Sequence, residues 1–300
     1  MNQYTLKKSY TFQGKGLHSG KVATMIVKPA PVDTGVIFRR VDISEDAVIA
    51  ALAENVSSTA RSTTITSGTA SVSTVEHLLS ALTGLGIDNA TVDIDNVEVP
   101  ILDGSAKPYI DAILADGTLE QDAPRRYVEL KEEILIEGQH GSRIRIVPAD
   151  SPRTDALVDF NSRVVGRQHA IWEPGVDYAT EVGNCRTFVF FHELEILYNN
   201  NLVKGGDVDN AIVIVENPVT QEQVDAMTKL FNQRKIQVTP EGYLSNIQLR
   251  FPNECARHKL MDLIGDMRLC GGFLKAHVYA EKPGHTVNTN AAKAVRAMLK

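Results

Sequence analysis

Two halves of the chain repeat one order of patterns, and that repetition limits the folds open to it. In the first half, the alternating stretch "QGKGLHSGKVATMIVKPA" reads as paired strands. The apolar helix "STVEHLLSALTGLG", the strand "NATVDIDN" and the helix "DGSAKPYIDAILADG" follow. In the second half, the hairpin "RYVELKEEILIEGQHGSRIRIVPA" precedes the helix "NECARHKLMDLIGDMRLCGG". The strand "FLKAHVYAEKP" and a last helix starting near "GHTVNTNAAKAVRAMLK" complete it. Period-2 alternation marks the strands, period-3.6 patterning the helices, and Gly and Asn their stops. Hairpin, helix, strand, helix, twice over, predicts an α+β fold of two similar domains, 1–122 and 123–300, parted near "LEQDAPRR". Each half exceeds the common plan in one stretch, near 34–64 in the first and near 178–205 in the second. Insertions on a repeated core are where binding residues tend to gather.

Composition narrows the function classes. With 300 residues, 43% of them hydrophobic and 23% charged, the chain is able to bury a sizeable core. A net charge of −6 argues against a nucleic-acid partner bound through broad basic surfaces. It leaves room for a local basic pocket that takes a phosphorylated small molecule. Cys185, Cys255 and Cys270 are odd in number and lack zinc-ribbon spacing, which argues against a disulfide framework. The first residues, "MNQYTLKKSYTF", lack an apolar signal core. No run approaches the roughly 18 apolar residues of a membrane span. The expectation is a reduced, cytoplasmic, soluble protein with no stable membrane insertion.

The helix "RHKLMDLIGDM" (257–267) carries the most informative polar pattern. His258, Asp262 and Asp266 fall within one stripe roughly 80° wide. Ala256, Leu260, Leu263 and Met267 lie opposite, towards the expected core. Cys255, Met261, Gly265 and Leu269 flank the stripe, where a solvated face would carry Lys, Glu or Ser. A polar stripe among apolar neighbours is buried at least in part, and buried carboxylates need a cation, a donor or a metal. His and Asp at i and i+4 stack on successive turns and can reach one metal ion. A histidine–aspartate hydrogen bond within the helix fits the same spacing, and a catalytic zinc site needs a third ligand from elsewhere.

His77 is the candidate third ligand, because it occupies the first-half counterpart of this helix and projects inward beside Ala81 and Leu85. Glu76 next to it has two readings. Ser73-Thr-Val-Glu76 matches a capping box, worth about 0.5–2 kcal/mol. Local pattern favours the cap; if His77 is a metal ligand the order reverses, because a carboxylate adjoining a ligand is well placed to act as a general base. His285 follows Gly284 at the start of the last helix. It is either a surface or capping histidine or, facing the site, an imidazolium that stabilises an oxyanion. Asp266 would then hold that histidine rather than bind metal.

Seven stretches together resemble the UDP-3-O-acyl-N-acetylglucosamine deacetylases, the zinc amidases of lipid A biosynthesis. They are "GKGLHSG", "STVEHLLSAL", "PILDGSA", "CRTFVF", "GGDVDNAIV", "RHKLMDLIGD" and "GHTVN", in the family's order and spread over nearly the whole chain. The resemblance implies one catalytic Zn2+ bound by His77, His258 and Asp262, with Glu76 as general base. It implies His285 as the cation facing the tetrahedral intermediate, Asp266 as its orienting partner and Thr187 as a hydroxyl on the oxyanion. Phe188 resembles an aromatic wall of the substrate site and Lys259 the family lysine near the nucleotide diphosphate. Asp159 and Phe160 resemble the uridine-binding pair, and Glu193 a further acid lining the site. Cys185 stands where the family usually has alanine, a small-for-small change.

The implied fold is two α+β domains with helices sandwiched between sheets and the active site at the domain interface. The second insert resembles the one that forms a hydrophobic passage for the fatty acyl chain. The implied activity is hydrolysis of the acetamide of UDP-3-O-(3-hydroxyacyl)-N-acetylglucosamine, with that UDP-linked acylated amino sugar as partner. Some relatives are fused to an acyl carrier protein dehydratase domain, and the resemblance extends the expectation to such a fused domain in the full-length protein. Three other readings remain: a zinc amidase for a different acylated amino sugar, a non-catalytic nucleotide-sugar or lipid-binding module, and a purely structural stripe. Metal content separates the last of these from the rest.

Overall fold

The computed structural model describes residues 1–200, 202–207, 210–229 and 236–299. Asn201 of the second insert, and Val208 and Asp209 of the stretch "GGDVDNAIV", lie outside the described residues. The chain opens with β1 (Asn2–Leu6), β2 (Tyr10–Lys15), β3 (Val22–Pro29), β4 (Val36–Arg40) and β5 (Val48–Ala50). Three short strands follow, β6 (Val56–Ser58), β7 (Thr64–Ser67) and β8 (Ala70–Val72). Then come α1 (Glu76–Gly84), β9 (Ala90–Ile94), α2 (Lys107–Leu114) and β10 (Thr118–Pro124), which pairs back onto β1.

The second half begins with β11 (Tyr127–Glu129), β12 (Ile134–Glu137), β13 (Arg143–Pro148), β14 (Arg153–Asp159) and β15 (Arg167–Trp172). A segment with α3 (Tyr178–Glu181), β16 (Phe188–Phe190), α4 (Phe191–Asn199), β17 (Ile212–Ile214) and α5 (Gln221–Lys229) comes next. The half closes with α6 (Glu254–Met267), β18 (Phe273–Glu281) and α7 (His285–Ala297).

The two halves share more than the order of their elements. Strands run β2-β3-β9-β4-β5 across the first sheet and β12-β13-β18-β14-β15 across the second. The first two and the last neighbours are antiparallel and the third pair parallel in both sheets. Each half therefore contains a second strand pair, β4–β5 and β14–β15, that the sequence pattern does not reveal. One consequence corrects the sequence reading: β4 and β5, inside the 34–64 stretch taken as an insert, are strands of the first sheet. Only β6, β7 and β8 stand apart, as a small sheet of their own. In the second half, β16 and β17 pair in parallel, so the additional segment runs past residue 205.

Helix α6 packs against α1, α7, β14 and β15, and α7 lies on β12 and β13. One buried cluster joins Leu78, Leu79 and Leu82 of α1 to Leu260 and Leu263 of α6, and to Phe38, Val92, Ile144 and Val158 of the two sheets. Burial on several sides explains why α6 carries so little polar surface outside its one stripe. A second, smaller cluster of Phe191, Leu194, Val213, Val224 and Leu244 gives the additional segment its own core. Among the described residues no helix is long and apolar enough to cross a membrane.

Candidate metal centre

The stripe on α6 is buried: His258 is 2% exposed, Asp262 1% and Asp266 0%. His77, in the first turn of α1, meets it from the facing helix. His77 Nε2 lies 3.5 Å from Asp262 Oδ1, and His258 Nε2 lies 3.4 Å from Asp262 Oδ2. The two imidazoles stand edge-on, with ring centroids 5.2 Å apart. One ligand atom from each of His77, His258 and Asp262 lies within 4.8 Å of the others, a spacing that fits a single metal ion.

The surroundings prepare these groups for that role. His258 Nδ1 lies 3.3 Å from the Cys185 carbonyl, which turns its Nε2 towards Asp262. Burial pushes the His258 imidazole down to about 3, so it is neutral and its lone pair is free. Burial alone would raise the Asp262 carboxyl, but the positive charges of Lys259 and His285 work against it, and the group lies well below the carboxylate range. Lys259 Nζ donates to Asp262 Oδ2 at 2.8 Å, while Asp262 Oδ1 is buried without any hydrogen-bond partner. Two buried imidazoles and a carboxylate with an orphaned oxygen match the donor set of a catalytic metal site.

Close backbone approach makes the meeting of α1 and α6 possible. A Cβ on Gly265 would collide with the Glu76 carbonyl oxygen. Ser80 of α1 donates to the Met261 carbonyl at 2.7 Å, which fixes the crossing one turn further on. The turn into α1 is itself constrained. Thr74 sits at φ 59°, in the left-handed region that a β-branched residue rarely adopts. Its hydroxyl donates to Glu98 Oε1 at 2.9 Å.

Glu76 does not belong to a capping box. Helix α1 begins at Glu76 itself, and its N-terminus has no side-chain cap. Ser73 instead donates its N–H to the Val97 carbonyl, outside the helix. Glu76 Oε2 accepts from the Thr63 N–H at 3.0 Å, and burial raises its carboxyl above the usual range. His285, the first residue of α7, points inward. Its Nδ1 lies 3.0 Å from Asp266 Oδ2, and its Nε2 lies 3.9 Å from both Glu76 Oε1 and Asp262 Oδ2. Burial works against a charged imidazole, yet Asp266 and Glu76 outweigh it and hold His285 up at about 9. Asp266 in turn accepts from Thr63 Oγ1 at 2.5 Å and from Asn288 Nδ2 at 2.9 Å. The stripe thus divides, with His258 and Asp262 beside His77 and Asp266 behind His285.

A cavity opens over this centre. It is lined by Glu76, His77, His258, Asp262 and His285, and also by Thr187, Phe188, Phe160, Glu193 and Lys259. Lys259 is no solvated helix charge: its side chain is 18% exposed and its ammonium lies 5.5 Å from the Phe188 ring centre. Thr187 is held by its N–H on the Gly104 carbonyl, 2.8 Å away. Gly104 has φ 83°, and a Cβ there would strike the Asn210 carbonyl. Phe160 stacks edge-on against Phe188 at 5.4 Å. Asp159 does not line this cavity; it faces an adjoining groove shared with Phe160, Lys282 and His285. Glu193 pairs with Arg61 at 2.9 Å.

Sequence reasoning assigned no role to His18, Arg61 or Thr63, although all three adjoin these residues. His18 lines the cavity with both ring nitrogens buried and unpartnered. Its loop is fixed by Glu98, which accepts from the His18 and Ser19 N–H groups. From the same floor an apolar passage leads away between Phe188, Leu194, Leu197, Val203, Met227 and Leu244.

Comparisons with known proteins place the chain in a family. The family model described as UDP-3-O-acyl N-acetylglycosamine deacetylase (LpxC) matches residues 3–231 and 226–297. A "Bifunctional enzyme LpxC/FabZ" from Porphyromonas gingivalis is 40% identical over 299 residues, covering 99% of this chain and 65% of that protein. Its namesake from Bacteroides thetaiotaomicron is 39% identical over 301 residues, covering 100% of this chain and again 65% of the relative. The chain thus spans about two thirds of the length of these bifunctional relatives. The "UDP-3-O-acyl-N-acetylglucosamine deacetylase" of Pseudomonas entomophila is 39% identical over 293 residues, covering 96% of this chain and 88% of that protein. On the extent of these matches, the chain belongs to the UDP-3-O-acyl N-acetylglycosamine deacetylase family.

Proposed function

We propose that the chain is a zinc-dependent deacetylase that hydrolyses the N-acetyl group of UDP-3-O-(3-hydroxyacyl)-N-acetylglucosamine, a step of lipid A biosynthesis. The observation that carries this reading is the buried His77–His258–Asp262 cluster with its orphaned carboxylate oxygen, flanked by Glu76 and His285. His77, His258 and Asp262 would hold the ion. An ion bound there supplies Lewis acidity and makes water acidic enough to lose a proton near neutral pH.

The chain's own groups account for the remaining chemistry. Glu76 takes the proton of the attacking water, a task suited to a carboxyl whose pKa is raised by burial. His285 carries a proton on Nε2 and turns it towards the oxygen that gains charge as the carbonyl becomes tetrahedral. The Thr187 hydroxyl is the second donor to that oxygen. When the C–N bond breaks, the nitrogen takes a proton from Glu76 or His285 and leaves as the amine, while the new C–O bond remains in acetate. Lys259 binds the diphosphate, Phe188 walls the sugar site, Asp159 and Phe160 receive uridine, and Glu193 lines the entrance. The apolar passage beside Phe188 suits the acyl chain.

The same reading takes 1–122 and 123–300 as two domains with the site between them, a division supported by the repeated strand order. It carries a cytoplasmic location and a companion dehydratase domain like the FabZ part of the bifunctional relatives. Acetate release from the UDP-linked acylated sugar tests the proposal, with and without chelator, in wild type and Asp262→Ala. Turnover that the chelator removes and Asp262→Ala lacks is the expected result. No chelator-sensitive turnover in the wild type would sink it.

A further inference from the structure

A second cavity, of about 370 Å³, lies on another side of α6. That is at the lower end of the roughly 300–1,000 Å³ typical of small-molecule sites. Ile264, which helps line it, is turned about 200° round the helix from the metal-facing Asp262. Trp172 of β15, Met267 of α6 and Phe273 and Leu274 of β18 supply further apolar wall.

Arg268 and Arg125 are the charged side chains of the lining. Arg268 is 5% exposed, and its Nη2 donates to the Ile87 and Asp88 carbonyls at 3.2 and 2.8 Å. Its Nη1 is buried with no hydrogen-bond partner. Among the described residues no carboxylate lies within ion-pair distance of Arg268. The nearby Asp88 carboxylate is already held by Arg125, through Nε at 2.9 Å and Nη2 at 2.8 Å. Both guanidinium groups also pack on the Phe273 ring, at 3.9 and 4.5 Å from its centre. Two cations therefore share one aromatic ring, and the one carboxylate beside them is paired with Arg125 alone. A buried charge left in that state is costly unless something compensates it.

We propose that this cavity is a binding site for a small organic monoanion, a carboxylate on an apolar body, with Arg268 as its anchor. The two lining guanidinium groups, with a single carboxylate between them, leave an excess of positive charge that selects the head group. The Trp172, Ile264 and Met267 walls accept the body, and the limited volume excludes a nucleotide sugar. The site uses none of the residues assigned to deacetylation and stands or falls apart from that reading.

Trp172 is the single tryptophan of the chain, so its emission reports on this cavity and not on the acyl passage. The full chain is titrated with octanoate, and with octanol and octylamine as probes of equal length and different charge. Octanoate is expected to give a saturable change in Trp172 fluorescence at least tenfold tighter than either control. Arg268→Met is expected to weaken octanoate at least tenfold while the far-ultraviolet circular dichroism stays unchanged. If that variant fails to fold, the wild-type comparison of octanoate with octanol decides. A flat octanoate titration, or octanol binding as tightly as octanoate, would overturn the proposal.

Discussion

Gly265 of α6 lies with its Cα against the carbonyl oxygen of Glu76, at the point where α1 begins. This contact brings the Glu76-His77 pair over the α6 stripe, and any side chain at 265 would push the two helices apart. Gly265→Ala should therefore lower stability, even though alanine gains about 1 kcal/mol of helix propensity over glycine. Overpacking in a close-packed interior typically costs about 1–3 kcal/mol and offsets that gain. Melting temperature and bound metal should both fall in this variant. A variant as stable as wild type, with a full equivalent of metal, would show that the crossing tolerates the extra atom.

Thr63 links three groups of the site at once. Its N–H donates to Glu76, its hydroxyl donates to Asp266, and the same hydroxyl lies 3.3 Å from His285 Nδ1. Thr63→Val keeps the shape and removes one donor, leaving a buried carboxylate oxygen short of a partner. Such a loss costs about 1–3 kcal/mol, so turnover should fall by roughly tenfold to a hundredfold with little change in KM. Thr63→Ser restores the hydroxyl and should recover most of the rate. If valine and serine variants lose activity equally, Thr63 acts through packing alone.

Away from the site, Asp93 of β9 is gripped by Arg39 of β4 and Lys28 of β3. Burial raises its carboxyl, but the hydrogen bonds from Arg39 and Lys28 prevail and leave it below the ordinary value. A carboxyl depressed in the folded state stabilises the protein above its unfolded pKa, about 3.9 for Asp. That contribution is lost as pH falls through the lower folded value. Arg39→Met should thus melt below wild type at pH 7, and the gap should narrow as the pH drops under about 4. Melting curves across that range check the sign; a gap that widens in acid contradicts it.

The readable part of the site lay in local pattern. His258, Asp262 and Asp266 stand out because apolar residues flank them, and burial of all three follows from that. His77 follows from the equivalence of the two halves. Thr63 carries no such signal, since its partners Asp266 and His285 are 203 and 222 positions away and "RSTT" looks like any polar turn. The capping-box pattern at Ser73–Glu76 misleads for a related reason. The backbone of Ser73 is claimed by Val97, a pairing that helix propensity does not encode. Strands β4 and β5 escape notice because β5 has three residues and the parallel partner of β4, β9, lies some fifty positions downstream.

His285 gives the sharpest separation between binding and chemistry. It lies across from the ligand cluster but is not part of it. His285→Ala should therefore keep about one equivalent of metal while turnover falls steeply. Removing one oxyanion stabiliser typically raises the barrier by about 3–4 kcal/mol, or roughly a hundredfold to a thousandfold in rate. Asp266 touches His285, Thr63 and Asn288 and does not line the cavity, so its effect on catalysis passes through the imidazole. Asp266→Asn alone should slow turnover, yet the double variant should be little slower than His285→Ala, because residues acting as one unit are not additive. Rates, metal content and circular dichroism of the two single variants and the double variant test this together. Multiplicative losses in the double variant would mean that Asp266 acts on the reaction independently of His285. An unchanged rate in His285→Ala would remove that residue from the mechanism altogether.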